Sequence, residues 1–184
     1  MLDLVLSIDK TIFIFINNNL SNPIFDMIMP IFDNTKNLIP LMLLPYILAI
    51  IFDKNNRYIL LILIPIAILL TDQSGLFLKK TILRPRPWVT LDANQIIHLV
   101  SEKGANYSFP SNHAANMSSL AIIFSFIYTK LKPIFWSIAG IVIFSRVYIG
   151  VHYPIDVIVG TIMGSLYGIF LINSWKLFKN KLPD

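Results

Sequence analysis

The chain of 184 residues contains no cysteine and little charge, with 14% Asp, Glu, Lys and Arg against 55% hydrophobic residues. The missing cysteine excludes a disulfide framework and a thiolate metal site. The scarcity of charge excludes an ordinary soluble domain, in which roughly a quarter of residues are charged. The apolar residues come in long blocks rather than with an amphipathic period. That pattern reads as helices crossing a bilayer, where every backbone polar group must be satisfied within the fold. The formal net charge is +5, yet no basic patch argues for nucleic acid. Internal repeats and low-complexity tracts are missing as well, apart from Asn17-Asn18-Asn19. Met1-Leu2-Asp3 lacks a positive region, and Asp9 and Lys10 interrupt the first apolar stretch. No cleavable signal peptide is therefore expected, and insertion is assigned to the spans themselves.

Five runs read as spans: 38–53, 58–79, 113–130, 133–149 and 153–175. Several fall short of the ~20 residues that cross a bilayer comfortably, so limited tilt or local thinning is expected. Residues 1–33 allow either one broken sixth span or two interfacial helices. A partly interfacial first helix followed by a short inserted one is favoured. The expected fold is all-α and membrane-integral: a compact bundle of five to six transmembrane helices in a single domain over 1–184.

Positive residues set the orientation. Lys54 and Arg57, then Lys130 and Lys132, then Lys176, Lys179 and Lys181 fall on one side if the spans alternate. Cytoplasmic loops are enriched in Lys and Arg, so that side and the C-terminus are assigned to the cytoplasm. The opposite side takes Asp33-Asn34-Thr35-Lys36, the 80–112 connection and the turn around Gly150–Tyr153. The 80–112 connection carries Trp88, Ile96, Ile97, Leu99 and Val100, too apolar for free disorder, and is expected to lie on the membrane surface and roof a site. Its lone His98 reads as a solvated or interfacial side chain.

Three polar clusters interrupt the apolar chain, and all fall on the outer side. They are Lys79-x6-Arg86-Pro87, Pro110-Ser111-Asn112-His113 and Ser145-Arg146-x5-His152-x3-Asp156. Tyr153-Pro154 starts a helix, since proline is pre-organised for the first turn. His152 and Asp156, four residues apart, then share a face. A carboxylate beside one imidazole nitrogen fixes the tautomer and leaves the other nitrogen free to attack phosphorus. Ser111 stands where a helix N-terminus offers amides to an anion, and His113 can protonate a departing oxygen. Lys79, Arg86 and Arg146 supply the cations a phosphoryl group needs. Asp72, two turns before Lys79, either pairs with a cation or hydrates a cavity. Gly160, Gly164 and Gly168 follow Asp156 at four-residue steps and read as a helix-packing face. Each cluster alone has a plainer reading: a helix start, a cap, or an anchor for lipid headgroups. Their convergence on one side is harder to explain that way.

The three clusters together resemble the motifs of the type 2 phosphatidic acid phosphatase family, K-x6-R-P, P-S-G-H and S-R-x5-H-x3-D, which span residues 79–156 here. The resemblance implies a six-helix core, no metal or other cofactor, and a lipid phosphate substrate within the bilayer. It implies that Lys79, Arg86, Ser111 and Arg146 hold the phosphate, with Asn112 beside them. His152 would be the nucleophile, Asp156 its orienting partner and His113 the proton donor. Asn112 stands where the family has glycine, and asparagine is among the few other residues that tolerate a left-handed backbone. Arg84-Pro85 duplicates the Arg-Pro pair at the wrong spacing, so Arg84 is assigned as an auxiliary contact.

The expected activity is hydrolysis of the terminal phosphate of a lipid phosphate or diphosphate through phosphohistidine, at the inner membrane with the site facing outward. Undecaprenyl diphosphate is the favoured substrate, with phosphatidylglycerol phosphate, phosphatidic acid and lipid A phosphate also open. A lipid phosphotransferase and a non-catalytic lipid-phosphate carrier are the alternatives. The oligomeric state is left open.

Overall fold

The computed structural model describes residues 2–33, 35–100 and 106–180. Asn34, residues 101–105 of the roof segment and Lys181 lie outside them. The regular elements among the described residues are all helices: α1 (Leu2–Ile14), α2 (Pro23–Ile28), α3 (Thr35–Phe52), α4 (Arg57–Ile82), the single turn α5 (Pro87–Thr90), α6 (Asn112–Ile127), α7 (Lys132–Tyr148) and α8 (Pro154–Lys179). A π turn, Phe15–Asn19, ends α1, and 3-10 turns Met29–Phe32 and Thr129–Leu131 follow α2 and precede α7. The five sequence-predicted spans correspond to α3, α4, α6, α7 and α8. α8 runs four residues past its expected end, and α4 three.

Three helical stretches among the described residues are long and apolar enough to cross a membrane: Arg57–Ile82, Thr129–Tyr148 and Pro154–Lys179. At 1.5 Å per residue the 26-residue α4 measures about 39 Å, ample for a ~30 Å hydrocarbon core. α3 (18 residues) and α6 (16 residues) are shorter. Residues 2–32 form two short helical pieces rather than one long span, because Asn17-Asn18-Asn19 and Ser21-Asn22 interrupt them and Asn22 caps α2 by accepting the Phe25 amide.

α6 occupies the centre, against α4, α7 and α8. Leu60, Leu63 and Ala67 of α4 meet Ile123 of α6 and Leu171 and Ile172 of α8 in the inner core. The α6–α8 contact depends on missing side chains. A Cβ on Gly160 or Gly164 would fall on the carbonyl oxygens of Ser111 and Ala115, and one on Gly168 would overlap Ile122. The helix-packing face expected at these glycines is therefore the seam with α6, and it fixes α8 axially beside the start of α6. The opposite face of α8 presents Ile158, Ile162, Leu166 and Phe170, all 54–62% exposed. In water such a stripe would be an aggregation surface; in a bilayer it faces lipid. The protein is an integral membrane protein.

The two ends of the bundle differ. At one end Tyr128, after α6, donates to Asp53, after α3, at 2.8 Å, and Lys176 of α8 lies over the Phe126 ring. This end gathers Lys54, Arg57, Lys130, Lys132 and Lys179. At the other end the N-termini of α6 and α8 meet, and the three polar clusters with them.

Candidate active site

Sequence-local geometry positions each side chain. Ser111 caps α6, its Oγ accepting the Ala114 amide at 3.4 Å, so His113 sits in the first helical turn. Pro154 occupies the first turn of α8, and Asp156 Oδ2 accepts the Tyr153 amide at 2.8 Å. That bond satisfies a helix-start amide and sets Asp156 facing back toward His152. α7 ends at Tyr148, and the following turn folds back so that the amides of Val151 and His152 donate to the Arg146 carbonyl at 3.2 and 3.1 Å. Gly150, at φ +83°, makes this reversal.

The clusters are stitched to one another by backbone. The Ser111 amide donates to the Asp156 carbonyl at 3.0 Å. Lys79 Nζ donates to the Pro110 carbonyl and to Asn112 Oδ1, the latter at 2.8 Å. Arg86 donates to the carbonyls of Tyr107 and Val151 at 3.1 and 3.3 Å, and its guanidinium stacks 4.9 Å from the Trp88 ring centre. His113 lies within electrostatic reach of Arg146, His152, Arg86 and Lys79. Residues from four helices and two loops thus converge at the polar end of the bundle.

His152 and Asp156 face one another with Nδ1 and Oδ2 3.5 Å apart, an ion-pair distance not yet closed to a hydrogen bond. Both are buried. Burial pushes the His152 imidazole down to about 4, with Asp156 pulling the other way and the Arg86 charge adding to the depression. The ring is therefore neutral at pH 7, the state in which a ring nitrogen can attack. Burial likewise lowers the Arg86 guanidinium to about 10, still a full cation at neutral pH. Arg146, only 1% exposed, donates through NH1 to Asp33 at 2.6 Å and through Nε and NH2 to Ser145 Oγ at 3.2 and 3.1 Å. The Asp33 carboxylate sits on the guanidinium as an anion would.

Two sequence expectations change here. Arg84, expected as an auxiliary phosphate contact, instead donates NH1 to Asp156 Oδ1 at 2.7 Å and NH2 to Asp9 Oδ2, and stacks 4.4 Å from the Tyr153 ring centre. Leu83, the one non-glycine residue with positive φ (54°) among those described, ends α4 and turns Arg84 inward. Asn112 does not use a left-handed backbone. It begins α6 and acts through its side chain: Oδ1 takes Lys79, while Nδ2 donates to Asp72 at 3.1 Å. Asp72 also accepts from Asn116 at 3.1 Å. Asp72 therefore reaches Lys79 through an amide rather than directly.

Sequence reading passed over Asp9, Asn17 and Asp33. Asp9 and Asn17 are 2% and 1% exposed. Asn17 exchanges hydrogen bonds with the Ile97 backbone at 2.8 and 2.7 Å and donates to the Tyr148 carbonyl at 2.7 Å, pinning the roof segment over the turn after α7. Leu99 adds a bond to the Ile149 carbonyl, and His98 packs against Trp88 rather than standing in solvent. The signal for Asp9 was available: an ionisable side chain in an apolar run reads as functional by default.

Below the polar cluster, a groove of about 1080 Å³ opens between α3, α4, α6 and α7. Met42, Leu69, Met117, Leu120 and Phe124 line it, with Asp72 and Gln73 at its margin. Asp72 belongs to both the groove and the Lys79–Asn112 network, so the groove adjoins the site.

The family described as the PAP2 superfamily matches residues 57–179. A lipid A 4'-phosphatase of Porphyromonas gingivalis is 28% identical over 176 residues, covering 92% of this chain and 74% of that protein. An undecaprenyl-diphosphatase of Sulfolobus acidocaldarius is 33% identical over 121 residues, 64% of this chain and 55% of that protein. The crystal structure of Aquifex aeolicus LpxE superposes with a TM-score of 0.73 at 28% identity, covering 89% of this chain and 93% of that one.

Proposed function

The chain belongs to the PAP2 superfamily and is a phosphatase of that type, and from this premise we propose that it removes the terminal phosphate of a membrane lipid through a phosphohistidine at His152. The observation that carries this reading is the buried, neutral imidazole facing Asp156 and within electrostatic reach of the Arg86 and Lys79 cations. Lys79, Arg86 and Arg146, with Ser111 and Asn112 at the head of α6, hold the phosphate oxygens and oppose the charge of the five-coordinate state. Nε2 of His152 attacks phosphorus in line. The N–P bond forms as the P–O bond to the lipid breaks, and His113, protonated once the phosphate anion offsets the Arg146, Arg86 and Lys79 charges around it, gives that proton to the departing oxygen. Asp156 balances the positive ring. Water, losing its proton to His113, then cleaves the N–P bond and inorganic phosphate leaves.

Residues 1–184 are read as one catalytic domain. The adjoining apolar groove supports a substrate with hydrocarbon chains, which would enter it from the bilayer while the phosphate reaches the cations. For the headgroup, the similarity to a lipid A 4'-phosphatase over most of the chain favours a phosphorylated glycolipid of the lipid A class. The shorter but higher-identity match to an undecaprenyl-diphosphatase supports a second reading, undecaprenyl diphosphate. The cytoplasmic membrane is the proposed location. The lysine-rich end would face the cytoplasm together with the C-terminus, and the site would open to the exterior.

The test is phosphate release from a panel of lipid A, undecaprenyl diphosphate, phosphatidylglycerol phosphate and phosphatidic acid in detergent. Wild type is compared with His152→Gln and with a sample in EDTA. Turnover that survives His152→Gln overturns the phosphohistidine. A phospholipid product in place of free phosphate identifies a transferase, and binding without turnover identifies a carrier. Reversible loss in EDTA requires a metal route. Because the chain has no cysteine, Asn94→Cys gives a single label site. Reaction with an impermeant maleimide only from the cytoplasmic side would refute the orientation.

A further inference from the structure

The N-terminal helix lies outside the matched residues 57–179 and carries none of the three motifs, yet one of its side chains stands directly behind the reacting pair. Asp9 is 2% exposed and makes two polar contacts. Its Oδ2 takes NH2 of Arg84, and its Oδ1 accepts the Ile155 amide at 2.9 Å. NH1 of the same guanidinium holds Asp156 Oδ1 at 2.7 Å. One arginine thus bridges two carboxylates whose side chains are both fully buried, with only 16% of its own side chain exposed. Phe13, one turn further along α1, packs edge-on against Tyr153 at 5.2 Å, which fixes α1 against the start of α8.

We propose that Asp9 is a positioning residue for the reaction, acting through Arg84 on the Asp156–His152 pair. Two consequences follow from its place. The first is charge. Arg84 alone against Asp156 would cancel the carboxylate where the ring needs it. Attack through Nε2 leaves a proton on Nδ1 and a positive charge on the phosphorylated ring until water cleaves the N–P bond. Asp9 offsets Arg84, so the Asp9–Arg84–Asp156 group keeps one net negative charge beside that ring. Buried charges interact strongly, and this term acts mainly in the charged transition state and intermediate rather than in substrate binding. The second is geometry. By accepting the Ile155 amide, Asp9 satisfies a first-turn donor of α8 between His152 and Asp156, which holds the turn that sets their separation. The Arg84 contact has a double effect: it orients Asp156 while Asp9 keeps it from neutralising it.

This inference rests on the phosphohistidine reading, and the experiment separates the two. Full-length protein in detergent is assayed on the fastest lipid phosphate of the panel, with inorganic phosphate as inhibitor, for Asp9→Asn, Asp9→Asn/Arg84→Gln and His152→Gln. Asp9→Asn is expected to lower kcat about tenfold or more while KM and the inorganic phosphate Ki stay within about threefold. The double variant restores the net negative charge through Asp156 alone and is expected to regain kcat over Asp9→Asn. Wild-type kcat in Asp9→Asn, or a double variant no faster than the single one, overturns the proposal. So does a parallel shift of kcat, KM and Ki. If Asp9→Asn does not fold, the double variant is read against wild type. A kcat within about tenfold supports the charge argument, and lost turnover with inorganic phosphate still bound overturns it. Turnover in His152→Gln would remove the premise instead, whatever Asp9 does.

Discussion

Asn112 lies directly over Gly75, filling the space where any other residue at 75 would place its Cβ; all three nearest atoms to that position belong to the Asn112 side chain. A glycine in α4 and an asparagine where the family motif has glycine are thus one packing arrangement. The pair holds the amide that links Lys79 to Asp72.

This relationship predicts an interaction between the two sites. Gly75→Ala forces the Asn112 amide off Lys79 and should cost about 1–3 kcal/mol, the range for overpacking a tight site. Asn112→Gly in the same chain removes the obstacle. Thermal unfolding of the two single variants and the double variant should give a non-additive cycle in which the double is more stable than Gly75→Ala. Additive losses would mean that the two residues do not share the space.

The glycines of the long helices should respond in opposite senses. A Cβ at Gly164 would overlap the Ala115 backbone, which cannot move without parting α6 from α8. Gly164→Ala should therefore cost more than about 3 kcal/mol and abolish turnover by displacing His152. Gly140 of α7 has nothing within 4 Å of its would-be Cβ. Gly140→Ala should gain up to about 1 kcal/mol from helix propensity. Unfolding midpoints in one detergent check both.

Part of this architecture was legible in the chain because it is written in local spacing. The four-residue step of Gly160, Gly164 and Gly168 gives a packing face whatever its partner, and Tyr153-Pro154 starts a helix wherever it is placed. His152 and Asp156 share a face by the same rule. The spans were legible from hydropathy, to within a few residues. The partners were not. Spacing cannot say that α6 fills the glycine seam, or that Asp9 lies 75 residues before its arginine in sequence and against it in space. The partners of Arg84 were hidden for that reason, since an arginine beside a phosphate motif has no local sign that two carboxylates hold it. Asn112 was read for its backbone tolerance, when its side chain is what the fold uses. The two pieces before Asp33 were ambiguous because asparagines break them, and one of those, Asn17, is buried as a clamp.

The imidazole at 152 should resist protonation. Burial lowers it to about 4 from an ordinary 6.5. Between those values the folded chain binds fewer protons than the unfolded chain at this site, so stability rises with pH across the interval. The contribution is fully present above 6.5 and is lost as pH falls toward 4. The chain has three histidines. The ring resonances of labelled protein, with His152→Gln for assignment, should therefore leave His152 untitrated through pH 6. An ordinary midpoint near 6.5 would mean that water or a carboxylate already solvates the ring.

Arg146 NH1 donates to Asp33 Oδ1 at 2.6 Å, and the Asp33 side chain is itself 25% exposed. A phosphate entering the site must share or displace that carboxylate, because both anions want the same fork. Asp33→Asn keeps the shape and removes the competition. Inorganic phosphate should then inhibit about three- to tenfold more tightly. The same change leaves the buried Arg146 without its counter-charge, so stability should fall by about 1–3 kcal/mol, less than for a fully buried pair because Asp33 is part-exposed. Added phosphate should recover that loss by binding the folded form, and the rise in unfolding midpoint per unit of phosphate should exceed that of wild type. A phosphate Ki that stays the same or weakens in Asp33→Asn would show instead that the carboxylate helps hold Arg146 ready, and that phosphate binds without displacing it.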